Sequence, residues 1–201
     1  MRCFVVSQHL VYMKRIVIFA SGSGSNAQQI TEFFQDRKDA QVVQILSNKN
    51  TAKVLERANN LKISAFSFNR SAFYDTDQVL NLIKSTQPDL IVLAGFLWLF
   101  PQNIIEAYPG KIINIHPALL PAYGGKGMYG ANVHKAVVAA GEKESGITIH
   151  EVTSEYDKGT ILFQAKTQLE PDETPDSLAA KIHELEYEHF PRVIAEILEK
   201  Q

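Results

Sequence analysis

The segment Arg15-Ile-Val-Ile-Phe-Ala-Ser-Gly-Ser-Gly-Ser-Asn26 joins a short β-branched apolar run to a turn of serine and glycine. An apolar run of this length and composition predicts a buried strand. The residues of Ala27–Phe34 have helical apolar spacing, so the turn leads from a strand into a helix. The backbone N–H groups and the positive dipole end at such a turn favour an anion, and a phosphate is the natural ligand.

Two features limit this interpretation of the turn. No Gly-Lys-Ser/Thr follows it, so it is not a Walker loop, and it lacks the third glycine of a dinucleotide fingerprint. A flexible turn with Ser25 or Asn26 as the helix N-cap is the alternative. From the segment alone, both interpretations stay open.

The apolar pattern repeats along the first half of the chain. Four further short runs predict strands: Gln41–Leu46, Ile63–Phe68, Leu90–Ala94 and Ile112–Ile115. Stretches with helical spacing lie between them, at Ala52–Leu61 and Val79–Ser85. Because strands and helices alternate, we expect a parallel sheet with helices on both faces.

The pattern changes after about residue 145. Ile147–Val152 and Ile161–Ala165 read as two strands with no helix between them, which predicts an antiparallel hairpin. A closing helix is expected from about Pro175 to Lys200, and Pro191 should kink or divide it. The predicted fold class is α/β, a doubly wound and mostly parallel sheet with a C-terminal antiparallel hairpin and a closing helix.

Composition and charge restrict the function classes. The chain has 201 residues, 45% hydrophobic and 21% charged with a net charge of −2, which describes one globular domain or at most two small ones. A single cysteine, Cys3, excludes a disulfide scaffold and indicates a reducing compartment. Twenty Lys and Arg against 22 Asp and Glu leave no overall basic field for nucleic acid, so a small-molecule ligand is favoured.

No membrane or secretory signal is expected. The longest apolar run, Leu90 to Phe100, has 11 residues, short of the roughly 20 that cross a bilayer. The apolar run after Lys14-Arg15 is too short for a secretory signal of about 7–15 residues, so we expect a cytoplasmic protein. Met13 resembles a second start, and residues 1–12 are expected to be a peripheral N-terminal extension.

The segment Asn114-Ile-His-Pro-Ala-Leu-Leu-Pro121 follows the fifth predicted strand, at the sheet edge where ligands bind in open α/β folds. Asn114 and His116 are two residues apart on an extended chain, so their side chains leave the same face. Asp157, on the loop between the two late strands, can reach a neighbouring strand end. Beside His116 it would raise the pKa of the imidazole toward or above neutrality. A polar strand end and an ordinary hairpin turn are the alternatives.

Two other motifs carry less weight. Gly125-Lys-Gly-Met-Tyr-Gly130 matches a dinucleotide pattern but does not directly follow a strand, which favours a mobile loop beside a site. His183 and His189 are six residues apart, so a helix turns them about 120° from a common side. Zinc sites on helices need histidines four apart, and we expect no metal.

Several of these segments together resemble the phosphoribosylglycinamide formyltransferases of purine synthesis, within the formyl transferase family. They are Ser21–Asn26, Leu93-Ala-Gly-Phe96, the Asn114–Pro121 block, and Gly146-x-Thr-x-His150 leading to Asp157. The likeness runs from about Met13 to Gln201. Methionyl-tRNA formyltransferase and formyltetrahydrofolate deformylase share the Asn114–Pro121 block but carry additional domains. Ala118 departs from the family, which often has Ser, and residues 122–129 differ from its commonest loop.

The resemblance implies a Rossmann-type single domain over residues 13–201, whose first half, 13–115, holds the nucleotide phosphate. The ribose phosphate would bind at Gly24, Ser25 and Asn26. Residues 116–201 would form the catalytic and folate half, in which Glu186 meets the glycinamide amino group. The formyl donor, 10-formyltetrahydrofolate, would contact the following residues: Leu97, Trp98, Leu99, Phe100 and Asn114.

The implied reaction transfers the formyl group of this cosubstrate to the amino group of glycinamide ribonucleotide. Asn114 and protonated His116 would stabilise the oxyanion, and Asp157 would keep His116 charged. No metal, nucleic acid or membrane partner is implied, and the protein would be a monomer or homodimer. A formyltransferase for a nucleotide-linked sugar amine, and a non-catalytic nucleotide-binding module, remain as alternatives.

Overall fold

The first strand, β1 (Lys14–Phe19), lies inside the sheet of the computed structural model, which describes residues 12–201. Of the predicted N-terminal extension, all but Tyr12 lies outside the described residues. The other strands are β2 (Ala40–Ser47), β3 (Ser64–Ser67), β4 (Leu90–Leu93), β5 (Ile112–His116), β6 (Glu144–Glu151) and β7 (Ile161–Gln168). The helices are α1 (Ser25–Gln35), α2 (Lys53–Asn60), α3 (Arg70–Tyr74), α4 (Gln78–Thr86), α5 (Gln102–Ala107), α6 (Ala131–Ala139) and α7 (Pro175–Glu199).

The strands of residues 12–201 form one sheet in the order β3-β2-β1-β4-β5-β6-β7. The first five strands are parallel, whereas β6 is antiparallel to both β5 and β7. The predicted α/β class, with its mostly parallel sheet, late hairpin and closing helix, is therefore confirmed.

Both faces of the sheet are covered, as the near-continuous apolar character of β1 predicts. Successive side chains of a strand point to opposite faces. Ile16 and Ile18 accordingly pack in the apolar cluster that includes residues of α1, α2, α6 and α7. Val17 and Phe19 pack on the other side, with residues of α3, α4 and α5. These two apolar layers fix the strand ends that carry the polar side chains described below.

Three helices were not predicted. The short helices α3 and α5 have five and six residues, too few for an apolar repeat to stand out from the surrounding chain. The third, α6, begins directly after Gly130 and buries the β-branched Val133 and Val137. The late hairpin is also longer than predicted, because Ser145 and Gly146 pair with Thr167 and Lys166 before the apolar run begins.

The sequence predicts that Pro191 kinks or divides the closing helix α7. The helix is not divided, so that part of the prediction is wrong. The helix runs from Pro175 to Glu199 with Pro191 inside it. A proline removes one helical hydrogen bond. The neighbouring Phe190, Val193 and Ile194 are buried against the core, and their burial offsets that loss. A capping box between Thr174 and Ser177 fixes the start of the helix.

The strand order creates a crevice at one edge of the sheet. From β1 the chain builds outward through β2 and β3, and it then returns to add β4 and β5 on the other side of β1. The carboxyl ends of β1 and β4 are therefore a topological switch point, where the following loops diverge and leave room for a ligand.

Candidate active site

A cavity of about 660 Å³ opens at this switch point. Its wall is formed by the loops that follow β1, β4 and β5, by the glycine-rich segment Gly125–Gly130, by Asp157 and by one face of α7. A cavity of this size accommodates a small molecule rather than a macromolecule.

The serine-glycine turn Ser21–Asn26 forms one end of the cavity and includes the predicted phosphate residues Gly24, Ser25 and Asn26. Gly24 has a φ of 76°, in the left-handed region that glycine adopts without strain. A Cβ atom at Gly24 would overlap the side chain of Val54 on α2. Helix α1 begins at Ser25, without a side-chain hydrogen bond capping it. The alternative in which Ser25 or Asn26 is the helix N-cap is therefore wrong, because Gly24 occupies the N-cap position.

Asn114 and His116 both line the cavity from the end of β5, as their spacing predicts. His116 is only 3% exposed. Its Nε2 atom lies 2.8 Å from the carbonyl oxygen of Tyr123. A carbonyl only accepts hydrogen bonds, so Nε2 carries a proton and donates it. The other ring nitrogen, Nδ1, is the one that faces Asp157, with 3.6 Å between Nδ1 and Oδ2.

Asp157 lies between two imidazole rings. Its Oδ2 atom faces His116 and also accepts a hydrogen bond from the Gly125 N–H at 2.8 Å, while its Oδ1 atom lies 3.6 Å from Nε2 of His150. Burial alone raises the pKa of Asp157. The contact with His150, the Gly125 N–H and the nearby His116 outweigh burial, so the net shift lowers the pKa of this carboxyl. Asp157 is therefore held as a carboxylate at neutral pH.

The pKa of His116 differs from the sequence-based expectation. Burial is the largest influence and lowers this pKa below its ordinary value, while Asp157 and the Tyr123 carbonyl raise it by less. The prediction of a raised pKa is therefore wrong, because it counted the carboxylate and not the loss of solvent around a ring that is 3% exposed.

Glu186 projects from α7 into the same cavity and is 7% exposed. Its Oε2 atom accepts a hydrogen bond from Nδ2 of Asn26 at 2.8 Å. Burial raises the pKa of Glu186, and the bond from Asn26 opposes this shift only in part. The side chain of Asn26 is thus engaged with a carboxylate, which leaves its backbone N–H as the group available to an anion.

The residues predicted to hold the formyl donor are divided between two cavities. Leu97 lines the large cavity, whereas Trp98, Leu99 and Phe100 line a smaller one of about 60 Å³. The two cavities share four lining residues: Phe96, Asn114, Tyr156 and Asp157. Two of the three predicted catalytic residues, Asn114 and Asp157, therefore lie where the cavities meet.

Comparison with known proteins identifies the group to which this site belongs. The family described as formyl transferase matches residues 14–194. The chain belongs to the formyl transferase family. It is 36% identical to phosphoribosylglycinamide formyltransferase of Bacillus subtilis (strain 168), over 92% of this chain and 95% of the relative. It is also 36% identical to the chloroplastic enzyme of that name from Arabidopsis thaliana, over 97% of this chain and 69% of the relative.

Solved structures of the family have the same fold. Glycinamide ribonucleotide transformylase 1 from Geobacillus kaustophilus is 36% identical, with a TM-score of 0.83 over 93% of this chain and all of that chain. Phosphoribosylglycinamide formyltransferase from Streptococcus pneumoniae TIGR4 is 35% identical, with a TM-score of 0.81 over 92% of this chain and 99% of the other.

His150 is a buried residue of the smaller cavity for which the sequence predicted no role of its own. It is 2% exposed on β6, directly opposite Asn114 in the antiparallel pairing. Its Nδ1 atom lies 2.8 Å from the Glu151 carbonyl and so carries the proton. In the neutral ring, Nε2 therefore accepts a hydrogen bond from Nδ2 of Asn114, at 3.0 Å. Its position in Gly146-x-Thr-x-His150 was the available signal, but the partner depends on the strand register.

The two histidines of α7 have separate surroundings. His183 lines the large cavity and stacks on Tyr187, whereas His189 packs beside Phe163. Across residues 12–201 there is no group of three or more His, Cys, Asp or Glu side chains that could hold a metal ion. None of the helices in this part of the chain has the length and apolar character needed to cross a membrane.

Proposed function

We propose that this chain transfers the formyl group of 10-formyltetrahydrofolate to the amino group of glycinamide ribonucleotide. The observation that carries the proposal is the position of Asn114 and Asp157 at the junction of the two cavities. The large cavity, which ends at Gly24, Ser25 and Asn26, suits a phosphorylated acceptor. The similarity to relatives named phosphoribosylglycinamide formyltransferase supports the same assignment.

We infer that the donor lies where the large cavity meets the smaller one, which at about 60 Å³ holds only part of its ring system. The wall of the smaller cavity combines six polar residues, among them Asn114 and Asp157, with these apolar and aromatic side chains: Leu93, Phe96, Trp98, Leu99, Phe100 and Val152. Trp98 is held at 5.9 Å from each of Phe73 and Tyr74, between ring centroids. The apolar side chains would contact the donor ring, and the polar groups, which include Asn114 and Asp157, would face the transferred carbon.

The reaction forms a bond between the acceptor nitrogen and the formyl carbon and breaks the bond to N10 of the folate. One proton leaves the amine and one reaches N10. Asn114 has a second amide N–H besides the one that faces His150, and this group would donate to the oxygen on which negative charge develops. Each such donor contributes about 3 kcal/mol in well-measured cases.

His116 would act as the second donor and needs a proton on Nδ1 to do so, because Nε2 already donates to Tyr123. Burial lowers the pKa of His116 and Asp157, which faces Nδ1, opposes that shift only in part, so the proton would enter Nδ1 as negative charge develops on the substrate oxygen. The carboxylate can also relay a proton between the amine and N10 through water. Glu186, buried beside Asn26, would bind the acceptor amine and fix its approach.

The site assignments extend to the organisation of the chain. We propose one functional domain over residues 13–201, in which 13–115 bind the nucleotide phosphate and also supply Asn114 and the donor contacts Leu97–Phe100, while 116–201 supply His116, Asp157 and Glu186. The Asn26–Glu186 hydrogen bond supports the single domain, since it joins the two halves at the cavity. We further propose a cytoplasmic monomer or homodimer with small-molecule partners and no nucleic-acid or membrane partner.

A formyl-transfer assay tests the function. Purified protein is given 10-formyltetrahydrofolate and glycinamide ribonucleotide, and formation of tetrahydrofolate and formylated product is followed. We expect turnover that is lost in the His116→Asn variant and kept in the surface variant Asp172→Asn. Turnover only with a nucleotide-linked amino sugar would reassign the acceptor. Folate-independent binding of nucleotides without turnover would contradict the enzymatic function.

A further inference from the structure

Three consecutive carbonyl groups of the serine-glycine turn, those of Gly22, Ser23 and Gly24, accept hydrogen bonds from the protein. The N–H of Val54 donates to the Gly22 carbonyl at 3.1 Å, and Nε of Arg57 donates to the Ser23 carbonyl at 2.8 Å. The N–H of Gln28 donates to the Gly24 carbonyl at 3.0 Å, closing the first turn of α1. Two of these three donors come from α2.

The backbone N–H groups of the same turn from Gly22 to Asn26, unlike these three carbonyls, have no hydrogen-bond partner among residues 12–201. The turn lines the cavity, and unpaired N–H groups in a concave turn favour an anion. Because the Gly22, Ser23 and Gly24 carbonyls are bound to protein donors, this part of the turn offers mainly positive dipole ends to the cavity.

Arg57 influences this turn without lining the cavity. It is a half-buried residue of α2 and does not belong to the cavity wall. Its guanidinium joins two elements, because Nε donates to the Ser23 carbonyl and Nη1 contacts Oε1 of Gln28 on α1. Gln28 in turn donates to Glu32 at 2.7 Å. The side chain of Arg57 therefore connects α2, the turn and the first turn of α1.

Helix α2 packs closely against the turn. A methyl group at Gly24 would overlap Val54, which lies one helical turn before Arg57. Without the bond from Arg57, the peptide unit between Ser23 and Gly24 could rotate. Its carbonyl would then approach the cavity, and the Gly24 N–H would turn away from it.

We propose that Arg57 is a positioning residue for the phosphate of the acceptor, which holds the Ser23 carbonyl away so that the N–H groups of the turn bind the phosphate. This inference rests on the proposed function. It goes further by assigning phosphate recognition to a side chain outside the cavity. It separates phosphate affinity from the chemistry at Asn114 and His116.

The test compares Arg57→Met, which keeps an apolar stem, with Arg57→Lys, which keeps the charge and a single donor nitrogen. Arg192→Met is the matched control, because Arg192 is exposed on α7 and outside both cavities. Binding of ribose 5-phosphate and of ribose is measured by calorimetry. The kinetic arm compares glycinamide ribonucleotide with the riboside that lacks the phosphate.

We expect Arg57→Met to weaken ribose 5-phosphate binding and raise KM for the ribonucleotide by about 10-fold or more, as loss of a positioned anion contact does. The change in kcat and in turnover of the riboside should stay within about 2-fold. Arg57→Lys should recover part of the loss, and Arg192→Met should match the unmodified protein.

Unchanged binding of ribose 5-phosphate by Arg57→Met would overturn this inference but not the proposed function. Equal losses of kcat/KM with the ribonucleotide and the riboside would do the same. Failure of the unmodified protein to bind ribose 5-phosphate at all would overturn the phosphate site itself, and with it the proposed acceptor. If Arg57→Met does not fold, Arg57→Lys decides, because its loss must fall on the phosphorylated ligand.

Discussion

Nε2 of His150 lies 3.0 Å from the amide nitrogen of Asn114, across the antiparallel pair of β5 and β6. The His150 ring is itself fixed, because its Nδ1 donates to the Glu151 carbonyl at 2.8 Å. One hydrogen of the Asn114 amide is thereby committed to the protein. The orientation of its second hydrogen, which the proposed mechanism uses, depends on a residue that need not touch either substrate.

We therefore predict that His150→Phe lowers kcat more than it changes either KM. The ring of phenylalanine fills the same space but cannot accept the Asn114 hydrogen bond, so the amide can rotate. The expected loss in kcat is about 10- to 100-fold, within the range for a misaligned oxyanion donor. Steady-state kinetics with both substrates measures it. A thermal unfolding midpoint near that of the unmodified protein, with kcat unchanged, would show that His150 only fills the core.

Gly24 leads to a prediction about the acceptor. Its φ of 76° and its contact with Val54 make any side chain strained at this position. Gly24→Val should displace the turn and raise KM for glycinamide ribonucleotide by about 10-fold or more, with a smaller effect on KM for the folate. The matched control is Gly141→Val, also at a positive φ but open to solvent and far from the site. Similar increases in both KM values would contradict a phosphate role for the turn.

Much of this arrangement follows from local sequence, and some of it does not. The alternation of strands and helices predicts the parallel sheet, and the two-residue spacing places Asn114 and His116 on one face. His150 opposite Asn114 depends on the register between strands 36 residues apart, which no local pattern encodes. The Asn26–Glu186 hydrogen bond joins residues 160 apart, and it too could not be predicted from a local pattern. The pKa of His116 could not be inferred because burial is a property of the whole fold.

Glu186 links stability to pH. Its pKa is raised, so the folded protein favours the neutral carboxyl. The stability that this preference contributes is fully present below pH 4.5, the pKa of the unfolded chain. It is lost as the pH rises through the higher pKa of the folded protein. Glu186→Gln keeps an oxygen for Asn26 and removes the charge. We expect the variant to unfold at a higher temperature than the unmodified protein at pH 8, and at a similar temperature near pH 4.

The cost of Glu186→Gln should appear in activity. A neutral amide cannot attract the acceptor ammonium or take its proton, so kcat/KM for glycinamide ribonucleotide should fall by about 10-fold or more. Differential scanning calorimetry at the two pH values, together with the kinetic assay, checks both effects. A difference in unfolding temperature that is the same at pH 4 and pH 8 would show that the charge of Glu186 is not its origin.

The last prediction concerns the carboxylate that faces His116. Asp157→Asn keeps an oxygen for the Gly125 N–H but removes the negative charge 3.6 Å from Nδ1. Burial already lowers the pKa of His116, and Asp157 is the larger of the two influences that raise it. Without that charge, the pKa of His116 should fall further, and the protonated form that donates to the oxyanion should exist only at lower pH.

The Asp157→Asn variant should therefore fold, bind both substrates with nearly unchanged KM, and lose most of its kcat at neutral pH. Its remaining activity should increase toward mildly acidic pH, opposite to the effect of general destabilisation. NMR titration of the His116 ring measures the pKa directly, with Asp172→Asn as the control. Because Asp157 acts through His116, the double variant with His116→Asn should lose little more than the worse single variant. Additive losses would mean that Asp157 acts independently of His116, and an unchanged pH profile would mean that it does not set the pKa of His116.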